Sequence, residues 1–523
     1  MCGSFWSSGT LRWESLPCFV ARIQCGGRER AWGEWRDGTG ANGKMSLARI
    51  RTVLLVVLLL GMPASRRAAA YSLLTHEQLV DLTWRDSIVP LLLSYYPGLS
   101  PAQLDEARAY AYGGCVIQDI GYYPFGDESF SNLTHYVRSG DFVINLFRNA
   151  QSADELAFAA GALSHYLGDS LGHSEATNRA VAIQFPKLRQ RYGPVVSYAE
   201  GRHEHVQTEF AFDIDEIAHH RMAPIRYLRH IGLKVPIHQL ALAYYQTYGL
   251  TETFSIAKGR RFNVEGYRFA ARTFIPRIAY AVTLLHRGSE PREPATAEIA
   301  EIEREAAQVA AENHWDNYRR KPGIGTYSLA GLLFVLPKVG PLKLVAVKGP
   351  TEATETDYMH SVALSVHAMQ RTLARLTPPP AALPASGNAL AASRLESPDR
   401  SEPLTAAAST FERLGAGWVP RHPLPNRDLD TGHVVQPGGY PLTDSTYARL
   451  LHRLTRHPLQ PIPPGIKDDV LAYYANLDLP ITTKKNPAQW TQVREDLNLL
   501  RQMPTSTAPA PYPTYGEDKT GEQ

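Results

Sequence analysis

From residue 71 to about 288, apolar residues recur at spacings of three and four, as in Leu79, Leu82 and Ile88, or Leu156, Ala159, Ala160, Leu163 and Leu167. That period predicts helices, each with one buried face. The alternation expected of strands is scarce. Loops rich in Gly, Pro and Asp, such as YYPGLSP and YYPFGDESFSN, separate the periodic runs. The pattern predicts a compact all-α domain. Residues 294–318 continue as helix, with Pro294 near the first turn. The next stretch, GTYSLAGLLFVLPKVGPLKLVAVKGP, is apolar but interrupted by Pro337, Lys338, Pro341 and Lys343. It reads as a buried or surface-packing hairpin-like segment, not a membrane span. Residues 354–376 return to helix, with Tyr358, Val362, Val366, Met369 and Leu373 on one face.

The periodicity then fades. From TPPPAALPASGNALAASR to about residue 440 the chain is rich in Pro, Ala and Ser, which is linker composition. Residues 443–503 hold two or three short helices, including DSTYARLLHRLTRH and NPAQWTQVREDLNLLRQM. The expected organisation is therefore a helical domain over 71–290, a helical extension over 291–376, a linker over 377–442, a small helical region over 443–503 and a disordered tail over 504–523.

The N-terminal part follows a different rule. Met45 opens MSLARIRTVLLVVLLLGMPASRRAAAY, with Arg49 and Arg51 before an unbroken apolar run from Val53 to Leu60 and Ala68-Ala69-Ala70 after it. These are the parts of a signal peptide spanning 45–70, and the run is too short to cross a bilayer. Export with cleavage near Ala70 is expected, to a periplasmic or secreted location. Residues 1–44, dense in Gly, Arg and Trp and without a period, then read as a misassigned upstream extension. Cys2, Cys18 and Cys25 lie there, so the exported chain would keep only Cys115 and form no internal disulfide. Cleavage would also leave Tyr71 with a free α-amino group.

Composition adds little. The chain has 523 residues, 44% hydrophobic and 20% charged, with a net charge of +3. These values exclude disorder, and the near balance of charge gives no bulk argument for a nucleic-acid or membrane-surface partner.

The candidate chemistry lies in the first domain. In SHYLGDSLGH, His165, Asp169 and His173 are four residues apart, so a helix sets them along one drifting stripe. Imidazole and carboxylate at this spacing can point at one metal ion, although a polar helix face has the same pattern. EGRHEHVQTEF adds His205 and Glu209 at the same spacing, a better-facing pair than His203 and Gln207. CVIQDIGYYPFG sets Asp119 among apolar and aromatic neighbours, where an unpaired carboxylate is costly. SNLTHY offers His135, and YSLLTH offers His76 close to Tyr71. So many donors in one helical domain suit a cluster of metals. Tyr122, Tyr123, Phe125 and Phe130 follow Asp119 closely and read either as a substrate wall or as loop packing. NLT at Asn132 matches a glycosylation acceptor beside His135.

In order along the chain, YSLLTH, IQDIGYYPFG, SNLTHY, SHYLGDSLGH and HVQTE resemble the zinc-dependent phospholipase C family. The resemblance includes the catalytic domain of glycosylphosphatidylinositol-specific phospholipase D and, more distantly, the single-strand-specific zinc nucleases. It covers about residues 71–220, extending toward 290. It implies an all-helical bundle around three zinc ions. Asp119, His135, His165 and Asp169 would hold one. The amino group and carbonyl of Tyr71, His76 and a second oxygen of Asp169 would hold its close partner. His173, His205 and Glu209 would hold the third. The family usually begins with Trp where this chain has Tyr71. The Asp169–His173 spacing agrees with the glycosylphosphatidylinositol-specific branch.

The resemblance implies an enzyme, a phosphodiesterase in which a metal-bridging water attacks phosphorus and Asp119 and Asp169 are the catalytic carboxylates. A phospholipid or other phosphodiester is the expected substrate, with peripheral membrane contact. Nucleic acid is less favoured, because Arg179, Lys187, Arg189 and Arg191 form only a modest basic cluster. A single-strand nuclease-like phosphodiesterase and a non-catalytic zinc-stabilised envelope protein are the alternatives.

Overall fold

Ser152 starts the helix on which the site is built. Its side chain accepts a hydrogen bond from the Glu155 amide at 3.2 Å, and Asp154 and Glu155 occupy the first turn, where the helix dipole favours acidic groups. The computed structural model describes residues 73–122, 126–251, 268–269, 271–272, 275–285, 296–319, 321–335, 349–377 and 423–506. The expected extension 1–44 and signal peptide 45–70, with Tyr71, Tyr123 and Phe125, lie outside them. Among the described residues there are helices and two isolated bridges but no strand, so the expected all-α class holds.

The principal helices are α1 (Leu73–Thr83), α2 (Pro101–Gly114), α3 (Glu128–Tyr136), α4 (Ser139–Arg148), α5 (Ala153–Gly172), α6 (Arg202–Ala218), α7 (Ile275–Leu285), α8 (Ile324–Val335), α9 (Glu352–Leu376), α10 (Pro441–Thr455) and α11 (Pro487–Gln502). Helix α5 is central and packs against α1, α2, α4 and α9. Its contact with α2 depends on two glycines. A Cβ at Gly161 would stand 2.1 Å from the Ala111 carbonyl oxygen, and one at Gly114 would stand 2.0 Å from that of Phe158. Only bare backbone permits such proximity. Gly161→Ala should therefore push α2 and α5 apart and cost about 3 kcal/mol, measurable as a lower denaturation midpoint.

Three stretches differ from the sequence expectation. Helix α9, expected in the helical extension over 291–376, packs against α5 and α1 of the bundle. Tyr358 meets Thr75 Oγ1 at 2.9 Å and stacks on Phe212 with centroids 4.4 Å apart. Residues 324–335, expected as part of a hairpin-like segment, form α8. Residues 423–442, expected as linker, form a strap across α3, α4 and α5. Tyr166 donates to the Pro425 carbonyl at 2.6 Å, and the Asp141 amide donates to Asn426 Oδ1 at 3.1 Å. Composition failed here because a strap needs only a few well-placed polar groups, whose partners lie far away in the chain. The C-terminal helices are tied to the bundle as well, by Arg138, which pairs with Asp141 at 2.8 Å and Asp469 at 2.9 Å.

Candidate metal centre

His165 and Asp169 lie one turn apart on α5, and His173 begins a wide turn, His173–Thr177, that extends the same helix. Helix α1 brings His76, the 3-10 turn Gln118–Gly121 brings Asp119, the last turn of α3 brings His135, and α6 brings His205 and Glu209. All of these side chains are buried. His203, by contrast, is exposed, which agrees with the choice of His205 from the spacing.

Asp169 stands at the junction. Its Oδ1 is 3.2 Å from His76 Nε2, while its Oδ2 is 3.3 Å from His135 Nε2 and 3.2 Å from His165 Nε2. Asp119 Oδ1 is 3.3 Å from His135 Nε2 and 3.9 Å from His165 Nε2. The rings of His76 and His165 stack 4.1 Å apart. A second cluster forms where Glu209 Oε1 meets His205 Nε2 at 2.9 Å and His173 Nε2 at 3.1 Å. Three groups result: His76, His165 and Asp169; Asp119, His135 and His165; and His173, His205 and Glu209.

These side chains fit a metal on three counts. Donors bound to one tetrahedral zinc at about 2.0–2.2 Å lie about 3.3–3.6 Å apart, close to the spacing in the Asp169 cluster. Neither carboxylate oxygen of Asp119 or of Asp169 accepts a hydrogen bond of normal geometry, although all are buried. Such groups are costly unless a cation meets them. Finally, each histidine that makes a backbone contact does so through Nδ1, leaving Nε2 to face the cluster. His135 donates to the Ser131 carbonyl at 2.7 Å, His165 to that of Cys115 at 2.9 Å and His173 to that of Leu429 at 2.8 Å. Metal-binding histidines are oriented this way.

The electrostatics point in the same direction. Burial pushes the Glu209 carboxyl up to about 8 and the His205 imidazole down to about 4. Burial also opposes charge on His135, yet Asp119 and Asp169 hold it up at about 10. The pocket draws positive charge toward its carboxylates. A divalent cation supplies that charge without protonating the donors.

Comparison with known families bears on the first domain. Residues 75–252 match the model described as zinc dependent phospholipase C. Over these residues, about a third of the chain, the protein is similar to that family. The curated proteins and solved structures compared with the chain gave no match. The matched segment contains every side-chain donor named above, and Tyr71, the expected main-chain donor, precedes it.

Residues beyond the matched segment also take part, which helical spacing does not reveal. The strap supplies part of the environment of both clusters. The Leu429 amide donates to the His135 carbonyl at 3.0 Å, and the Leu429 carbonyl is the acceptor for His173. Next to it, Asp430 Oδ2 accepts from the Tyr136 hydroxyl at 2.9 Å and the Tyr440 hydroxyl at 2.6 Å, while Asn178 Nδ2 donates to the Asp430 carbonyl at 2.7 Å. Gly432, at φ +71°, passes so close that a Cβ would stand 2.2 Å from the Ser170 carbonyl oxygen. Asp430→Ala should leave the buried Tyr136 hydroxyl without this acceptor, cost about 2 kcal/mol and loosen the His173 carbonyl contact. Zinc affinity at the His173 group should fall by about 10–100-fold, as read by competition with a chromogenic chelator.

The remaining candidates are placed plainly. Phe130 belongs to the core, stacked on Tyr244 with centroids 5.4 Å apart, whereas Tyr122 lies 5.3 Å from the His135 ring. Asn132 is buried and accepts from the Tyr122 hydroxyl at 3.0 Å, which leaves no room for a glycan in the folded protein. Arg179 pairs with Glu175 at 3.0 Å on an exposed face. Asp215, His219 and Glu355 also lie within metal-binding reach, but Arg221 pairs with Asp215 at 3.1 Å and with Glu355 at 3.3 Å and supplies the counter-charge.

Proposed function

We propose that this chain is an exported phosphodiester hydrolase of phospholipase C type that holds three zinc ions. The reading is carried by Asp169, which turns one carboxylate oxygen toward His76 and the other toward His135 and His165. A carboxylate so placed suits a bridge between two dications. Asp119, His135, His165 and Asp169 are assigned to one zinc. His76 and Asp169, with the amino group and carbonyl of Tyr71, are assigned to the second. His173, His205 and Glu209 are assigned to the third.

Bound zinc supplies Lewis acidity toward a phosphoryl oxygen and acidifies water. The protein's own part is to fix the donors and to handle protons. Asp119, beside His135, is placed to orient a water and take its proton. Tyr122 borders the same group and is the aromatic candidate for substrate contact. A phospholipid is the substrate favoured by the family match. The basic cluster at Arg179, Lys187, Arg189 and Arg191 gives little support to a nucleic-acid track.

The complete burial of the donors supports a second reading, a closed, non-catalytic zinc site that stabilises the fold. Assaying the purified protein on phosphatidylcholine, phosphatidylinositol and single-stranded DNA side by side separates the readings. Phospholipid hydrolysis that stops with chelator is the expected result. Preferential cleavage of DNA, or zinc without turnover on any of the three, would overturn the proposal. Sequencing the mature N-terminus tests export, with Tyr71 expected as the first residue.

A further inference from the structure

Helix α8, beyond the matched segment, carries no charged residue, and its two faces differ in exposure. Leu329, Ala330 and Leu333 are buried against Ala281 and Val282 of α7 and Ala211 and Ile214 of α6. On the other side, Ile324 is 87% exposed, Tyr327 53%, Phe334 72% and Val335 78%. At about 100° per residue, these four fall with Ser328 and Gly331 within an arc of about 120°. An apolar stripe this continuous, without a polar residue larger than serine or tyrosine, marks a contact surface.

The charge in the flanking sequence points to the partner. From Asn317 to Thr351 the sequence contains Arg319, Arg320, Lys321, Lys338, Lys343 and Lys348 and no Asp or Glu. Arg319 pairs with Asp316 at 3.3 Å, which leaves five basic residues in the stretch. An apolar helix face flanked by them in sequence is complementary to an anionic bilayer surface: acyl chains below, acidic head groups beside it. A spanning role does not fit. The helix has 12 residues, about 18 Å at 1.5 Å per residue, against a hydrocarbon core of about 30 Å. Among the described residues no helix is long and apolar enough to cross a membrane.

We infer that the exposed face of α8 docks the protein on an anionic lipid surface. In its choice of partner the inference rests on the phospholipid reading. Its buried face joins the same cluster as α6, the helix that carries His205 and Glu209, so docking would hold the metal-bearing bundle at the lipid boundary.

The test uses the purified full chain with vesicles of phosphatidylcholine, with and without phosphatidylserine. Co-sedimentation should favour the phosphatidylserine vesicles and weaken as salt is raised. The double variant Phe334→Glu, Val335→Glu should bind on the order of tenfold more weakly or worse, and Lys321→Glu about fivefold more weakly. All three proteins should hydrolyse a soluble short-chain phosphatidylcholine monomer at the same rate, which shows the site intact. Should the double variant fold poorly, Tyr327→Ser with Phe334→Ser tests the same face with less perturbation. No binding of the parent protein to phosphatidylserine vesicles, or binding unchanged by these variants, overturns the inference. So does light scattering that shows the face buried in a dimer which the variants dissociate. Vesicle binding without hydrolysis of any phospholipid would leave the docking surface standing and remove the proposed activity instead.

Discussion

Asp169→Asn is expected to reduce phosphodiester turnover by about three orders of magnitude while leaving the helical content unchanged. Asparagine keeps the size of the side chain but replaces one oxygen by an NH2 group, which cannot donate a lone pair to a metal. Whichever way the amide turns, either His76 or the His135–His165 side loses its oxygen partner. The lost negative charge would also remove compensation for the two dications proposed beside it. Zinc content, measured by atomic emission on the dialysed protein, should fall by about one to two equivalents, with the His173, His205 and Glu209 group retained. Loss of turnover with a preserved fold and partial zinc content fits an enzyme. Full turnover in this variant would sink the assignment of Asp169, and loss of folding alone would favour the structural reading.

Removal of zinc from the unmutated protein should lower its thermal midpoint by on the order of 10 °C. Asp119, Asp169 and Glu209 are buried, and the oxygens of the two aspartates have no hydrogen-bond donors of their own. Without a cation the buried aspartates depend on the neighbouring imidazoles for counter-charge. Leaving one buried charge unpaired costs about 3–5 kcal/mol, and each kcal/mol is about 2–4 °C for a domain of some 200 residues. Calorimetry with and without a chelator measures the shift. Restoration by added zinc separates metal loss from damage by the chelator. An unchanged midpoint would remove the case for a metal cluster.

The parts of the site legible in the sequence were those carried by helical spacing. Four-residue steps set His165, Asp169 and His173 on one line and separated His205 from the exposed His203. Spacing could not show that the line divides, with His165 and Asp169 facing one cluster and His173 the other. That division depends on where α1, α3 and α6 cross α5. The strap was hidden for a different reason. What it offers His173 is a backbone carbonyl, which leaves no mark in residue type, and the contact spans 256 positions. Its proline, alanine and serine surroundings masked Asn426, Asp428 and Asp430, each of which has a definite partner. Residues 324–335 form a helix where a hairpin-like segment was expected, because a short apolar run has no period that separates the two.

The contact between His173 and Leu429 also fixes an order of events. During synthesis, the histidine leaves the ribosome long before the carbonyl that aims it exists. If the chain is threaded across a membrane from its N-terminus, the same delay recurs on the far side. The Asp169 cluster draws all its side chains from residues up to 169 and can assemble early, whereas the His173 group reaches its final geometry only when nearly the whole polypeptide has arrived. A fragment trimmed to residues 75–252 would carry every side-chain donor yet lack the carbonyl that aims His173.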